Sequence, residues 1–134
     1  MAACAIMGAT LLGACRGENL FSLAASVAQP GPTVNMTQPG PGYTIAPGDS
    51  IRILAEVNSP AGLSTVDYRG TYPADGSDAY VGESASFPGE PFRRLDNWLQ
   101  PAAGQVAGDV YIVIEATDLT GAMGKDSVKI QIIS

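Results

Sequence analysis

Between Asp109 and Ile133 the side chains alternate with a period of two, and this constrains the fold more than any other feature. Val110, Ile112, Ile114 and Ala116 alternate with Tyr111, Val113, Glu115 and Thr117. After the break Asp118-Leu119-Thr120-Gly121-Ala122-Met123-Gly124, Val128, Ile130 and Ile132 alternate with Lys129 and Gln131. A chain of this pattern has one apolar and one wet face only if it is extended, because successive strand side chains point to opposite sides. Two such runs joined by a Gly-bearing connection predict an antiparallel hairpin. A slip of one residue would turn every apolar side chain to water, so the register is fixed as firmly as the strands. The rest of the chain must cover the apolar face.

The same period recurs upstream. From Ser50 to Asn58, Ile51, Ile53, Ala55 and Val57 are predicted to point inward, with Arg52, Leu54 and Glu56 outward. From Leu63 to Thr71, Val66, Tyr68 and Gly70 share one face and Thr65, Asp67 and Arg69 the other. Thr33 to Thr37 predicts a first strand, which Gln38-Pro39-Gly40-Pro41-Gly42 breaks off, as suits an edge strand bending away. Tyr43-Thr44-Ile45 is an extended piece, followed by the tight turn Ala46-Pro47-Gly48-Asp49. Tyr72 to Phe92 is too long for a structureless loop in a compact domain and predicts an edge strand near Ala85-Ser86-Phe87. In Phe92 to Leu99, Leu95, Trp98 and Leu99 sit at helical spacing, yet a sandwich needs a strand before the turn Pro101 to Gly108. The strand is preferred, with Trp98 expected in the core.

Composition agrees and removes several function classes. A chain of 134 residues has room for one domain. With 16 Gly, 10 Pro and only 15% charged residues, it suits short strands and many turns rather than a helical bundle. A net charge of -6 with seven Lys and Arg offers no basic patch for phosphates, so nucleic acid is not a partner. Histidine is absent, which removes the commonest general base and metal ligand.

The Pro-Gly-Asp turn before an alternating strand resembles bacterial Ig-like domains. So do Gly62-Leu63-Ser64-Thr65-Val66 and the late Ala116-Thr117-Asp118-Leu119-Thr120-Gly121 before the final strand. The resemblance covers Pro32 to Ile133. It implies an all-β, Ig-like antiparallel β-sandwich of about seven strands, with Ala116 in the core and Asp118 forming the turn. It carries over no catalytic residue.

The amino terminus reads as an address. Ala2 to Ala14 carry no charge, and the apolar run Ala5 to Leu12 is shorter than the about 20 residues that span a bilayer. It ends in Leu12-Gly13-Ala14-Cys15, which resembles the lipobox of bacterial lipoproteins. The resemblance implies cleavage before Cys15, acylation of its sulfur and of the new amino terminus, and firm anchoring by two or more chains. No Lys or Arg precedes the apolar run, a departure from the usual signal peptide that is expected if translation starts upstream of Met1. Arg16 after the Cys, in place of Asp, resembles lipoproteins sent on to the outer membrane of Gram-negative bacteria. Residues 1–14 are thus expected to be a signal peptide, 15–31 a lipidated terminus and tether, and 32–134 the sandwich domain.

The expected protein is a non-catalytic cell-envelope lipoprotein whose domain is a structural or protein-interaction module. Membrane lipid is its partner through acylated Cys15, with another envelope protein or a glycan as a further partner. The alternative is capture of a glycan or peptide by aromatics of the 72–92 segment and its flank. Tyr72, Tyr80, Phe87 and Trp98 are the candidates, because aromatic side chains offer an apolar face and a polar edge. Asp75, Asp78, Glu83, Asp118 and Asp126 are the carboxylates that a calcium ion would need to gather. The Asp-x-Asp-x-Asp-Gly ladder is missing, and solvated turn carboxylates are the preferred reading. Neither a cofactor nor a resident metal is called for, and no Gly-x-Ser-x-Gly or paired-carboxylate pattern points to an enzyme.

Overall fold

A computed structural model describes residues 30–134, so the expected signal peptide, Cys15 and all but the last two residues of the expected tether lie outside the described residues. Eight strands follow one another: β1 (Thr33–Gln38), β2 (Thr44–Ile45), β3 (Ile51–Asn58), β4 (Leu63–Thr71), β5 (Asp78–Ser86), β6 (Phe92–Leu99), β7 (Gly108–Asp118) and β8 (Met123–Ile132). They form a three-stranded sheet ordered β1-β3-β6 and a five-stranded sheet ordered β2-β8-β7-β4-β5. The predicted terminal hairpin is β7-β8, in continuous register from Gly108↔Ile132 to Thr117↔Met123.

The predicted faces hold. Ile51, Ile53, Ala55 and Val57 of β3 meet Val66 and Tyr68 of β4, Val110, Ile112, Ile114 and Ala116 of β7, and Val128, Ile130 and Ile132 of β8 in one buried core. Burying apolar surface of this extent between two sheets is what holds a domain without internal disulfides together.

Three features extend or depart from expectation. The edge strand expected within Tyr72–Phe92 is β5, which includes Ala85 and Ser86 and reaches back to Asp78 over nine residues. An irregular register places Gly70 opposite Tyr80, and Ala79 and Tyr80 are both fully buried. Trp98 is not a core residue: it is 53% exposed, while Leu95 and Leu99 are buried. Extended backbone sends 95, 97 and 99 to one face, so 98 must face the other. Finally, after β1 the chain changes sheets, and β2 pairs parallel with β8 through Thr44↔Gln131 and Ile45↔Ile132.

The flanks of the sandwich are closed by polar contacts. Met36 N–H in edge strand β1 donates to Asp126 Oδ2 at 2.9 Å, joining the two sheets. Nearby, Gly124 lies so close to the Pro32 carbonyl that no side chain fits there. On the other flank, Val81 N–H donates to the Gln100 carbonyl at 2.8 Å and Ala102 N–H to the Ala79 carbonyl at 3.0 Å.

Strand pairing also fixes polarity. Thr33 lies opposite Asn58, whereas Ile51 lies opposite Leu99 and Gly108 opposite Ile132. The chain therefore enters the sandwich at one end and the last strand finishes at the other. Strands of this length separate the two ends by about 25 Å.

Candidate functional site

The four candidate aromatics do not form one platform. Tyr80 of β5 is fully buried over Gly70 of β4, and burial pushes its hydroxyl up to about 12. That hydroxyl has no hydrogen-bond partner among the described residues; the neighbouring Gln105, which draws it back down in part, donates to the Ala79 carbonyl at 2.7 Å. Tyr72 packs partly against the core, and its hydroxyl both accepts from Val106 N–H and donates to the Val106 carbonyl at 2.9 Å. Phe87 is half-buried at the opposite end, with the Arg93 guanidinium 4.5 Å above its ring. Only Trp98 presents most of its ring to solvent.

The carboxylates do not gather either, and no group of ligands able to hold a metal exists among the described residues. Four of the five have a local task of their own. Asp118 is buried and caps the β7-β8 turn: its Oδ1 accepts from the Thr120 hydroxyl at 2.6 Å, Thr120 N–H at 2.8 Å and Ala122 N–H at 3.0 Å. The Thr120 hydroxyl, helped by these backbone donors and opposed by burial, holds this carboxyl below its ordinary value. Asp75 is lowered by Ser77, which gives its N–H at 3.0 Å and its hydroxyl at 2.7 Å. Glu83 accepts from Asn97 at 2.9 Å, and Asp126 holds Met36.

Three concave regions stand out among the described residues. A slot of about 180 Å³ opens between β5 and β6 over Tyr68, flanked by Glu83 and Arg93. Burial and then the Glu83 carboxylate push the Tyr68 hydroxyl up to about 12, against the pull of Arg93. A broader hollow of about 700 Å³ lies between the β4-β5 and β6-β7 connections, bordered by Tyr72, Asp75, Asp78, Val106 and Asp109.

The third is a cleft of about 270 Å³ at the same end of the sandwich, lined by Trp98, Tyr43, Pro39, Gln38, Ser50 and Arg52. Trp98 projects from the outer face of β6 opposite Arg52 of β3. Tyr43, 48% exposed, is delivered by the crossing from β1 to β2. Arg52 is paired with Asp96 through two hydrogen bonds of 3.0 and 2.8 Å, which raise the guanidinium and lower the carboxyl. Ser50 donates to Gln100 Oε1 at 2.9 Å. Tyr43 is the site residue that the sequence does not flag. Tyr43 lies in the crossing from β1 to β2 and Trp98 on β6, and tertiary folding brings both to the lining of one cleft.

Comparison with solved structures shows the fold. The chain is similar to the fibronectin(III)-like modules of Clostridium thermocellum CbhA, at 26% identity and a TM-score of 0.51. The likeness covers 76% of this chain and 46% of that one, so the chain spans about half the length of that structure. The fold is an Ig-like β-sandwich of the fibronectin(III)-like kind. A chain of the CaDoc0917–CaCohA2 complex matches at 10% identity and a TM-score of 0.40, over 76% of this chain and 99% of that one, too loosely to carry an argument. No family model and no curated protein matches the sequence.

Proposed function

We propose that this protein is a non-catalytic, lipid-anchored module of the cell envelope, held by acyl chains on Cys15. Its sandwich would serve as a spacer or protein-interaction unit at the outer membrane. The observation that carries this reading is the polarity of the fold. β1 begins at the end where the tether joins, and the exposed aromatics Tyr43 and Trp98 lie at the other end. A module built this way holds its far surface about 25 Å from its attachment point. The likeness to fibronectin(III)-like modules supports the same reading. So does Leu12-Gly13-Ala14-Cys15, whose thiol is the nucleophile that lipid transfer needs.

Fractionation of a Gram-negative host expressing the full chain tests it, together with intact mass of the membrane-extracted protein. The expected mass is that of a chain starting at Cys15 with two or three acyl groups, the number such anchoring uses. Cys15→Ser should move the protein to the soluble fraction. A variant that stays with the membrane, or an unmodified full-length mass, would overturn the anchor.

A further inference from the structure

We propose that the cleft between Trp98 and Tyr43 is a saccharide-binding site that stacks a ring of a neutral glycan on the exposed indole face. The inference does not depend on acylation of Cys15.

Most of the outer face of the three-stranded sheet is polar, with Phe92 exposed at the far end of β6 from Trp98. Arg52 pairs with Asp96, and Arg94 with Glu56 at 3.2 Å, leaving a charged, self-neutralising surface. Trp98 breaks that pattern. It stands 53% exposed near the end of edge strand β6, and it lines a hollow together with a second exposed aromatic, Tyr43. Its ring lacks the cation that covers Phe87, so a face of the indole is free to receive a partner. Saccharide rings carry a patch of C–H groups that stack on such a surface, while their equatorial hydroxyls need donors and acceptors around the edge.

The rim supplies both kinds. The Gln38 side chain brings an amide with donor and acceptor, and Ser50 a hydroxyl. Arg52, which lines the cleft, gives two N–H groups to Asp96 and keeps the others. Because those two charges cancel, the rim favours neither an anion nor a cation. A cleft of about 270 Å³ suits one or two sugar rings and is short for a peptide groove.

The chain's one tryptophan is Trp98, so its fluorescence reports on this site alone. The full chain, purified in a detergent without a sugar headgroup, should be titrated with chitotetraose, cellotetraose and, as a competitor class, a proline-rich peptide. The expected result is a saturable fluorescence change with at least one tetrasaccharide and none with the peptide. Tyr43→Ala leaves the reporter in place and should weaken that binding roughly threefold to tenfold, the worth of one aromatic contact. Trp98→Ala, read by calorimetry, should abolish it. Both side chains are exposed, and an unchanged melting curve would confirm that each variant folds. Three outcomes would overturn the proposal: no saturable change with either sugar up to about 10 mM, binding that survives both substitutions, or saturation by the peptide alone.

Discussion

Two glycines on paired strands should respond in opposite ways to the same substitution. Gly70 of β4 lies opposite both Tyr80 of β5 and Ile112 of β7, facing the core. A Cβ there would come within 2.7 Å of Tyr80 Cδ2 and 3.1 Å of both Tyr80 Cβ and Ile112 Cδ1. The missing side chain is what makes room for a fully buried tyrosine. Gly70→Ala should cost about 1 to 3 kcal/mol through overpacking. Against that, alanine recovers about 0.4 to 1 kcal/mol by restricting the unfolded chain. The net loss is roughly 1 to 2 kcal/mol, or about 5 to 15 °C in Tm for a domain near this size. Gly82 of β5 is the control, because a Cβ there meets only the Tyr68 carbonyl at 3.5 Å, an ordinary contact. Gly82→Ala should leave Tm unchanged or raise it slightly. Thermal melts followed by circular dichroism, repeated in urea, would measure both. Equal shifts for the two variants would refute the claim that Gly70 is kept small by Tyr80.

Two further substitutions probe the core and the turn. Ile112→Asp places an unpaired charge at a position with no solvent exposure and should abolish cooperative melting; an undisturbed curve would mean that the faces of β7 are reversed. Asp118 is held below the ordinary carboxyl value of 3.8, so its contribution is complete above that value. It is lost as pH falls through the lowered one. Asp118→Asn should therefore melt earlier at neutral pH and lose less stability on acidification, and parallel Tm-against-pH curves for the two proteins would contradict this.

The sites were far less legible in the sequence than the fold. Alternation in β3, β4, β7 and β8 marks which side chains enter the core, because strand geometry ties sequence parity to sheet face. That rule also rules out a core Trp98 once Leu95 and Leu99 are placed on one strand, but helical spacing at the same three positions masks it. In β5 the signal fails for a different reason. The irregular register buries the consecutive residues Ala79 and Tyr80, and the strand's far half, from Val81 to Ser84, lies on an exposed edge where polar side chains meet no penalty. Four of the five carboxylates that sequence alone could gather around an ion, Asp118, Asp75, Glu83 and Asp126, are instead bonded one by one to Thr120, Ser77, Asn97 and Met36, each through a contact that depends on local turn or cross-sheet geometry.

Residue order was enough to establish that the chain is built of strands, which faces they bury, and that Asp118 forms a turn. Those properties follow from the local chain and from side-chain parity. Tertiary structure alone decided which strands are neighbours, that β2 crosses to lie parallel to β8, and that Tyr43 and Trp98 line one cleft. Backbone N–H and C=O groups make the ladders, and they are the same for every residue but proline, so partner choice leaves almost no mark on sequence.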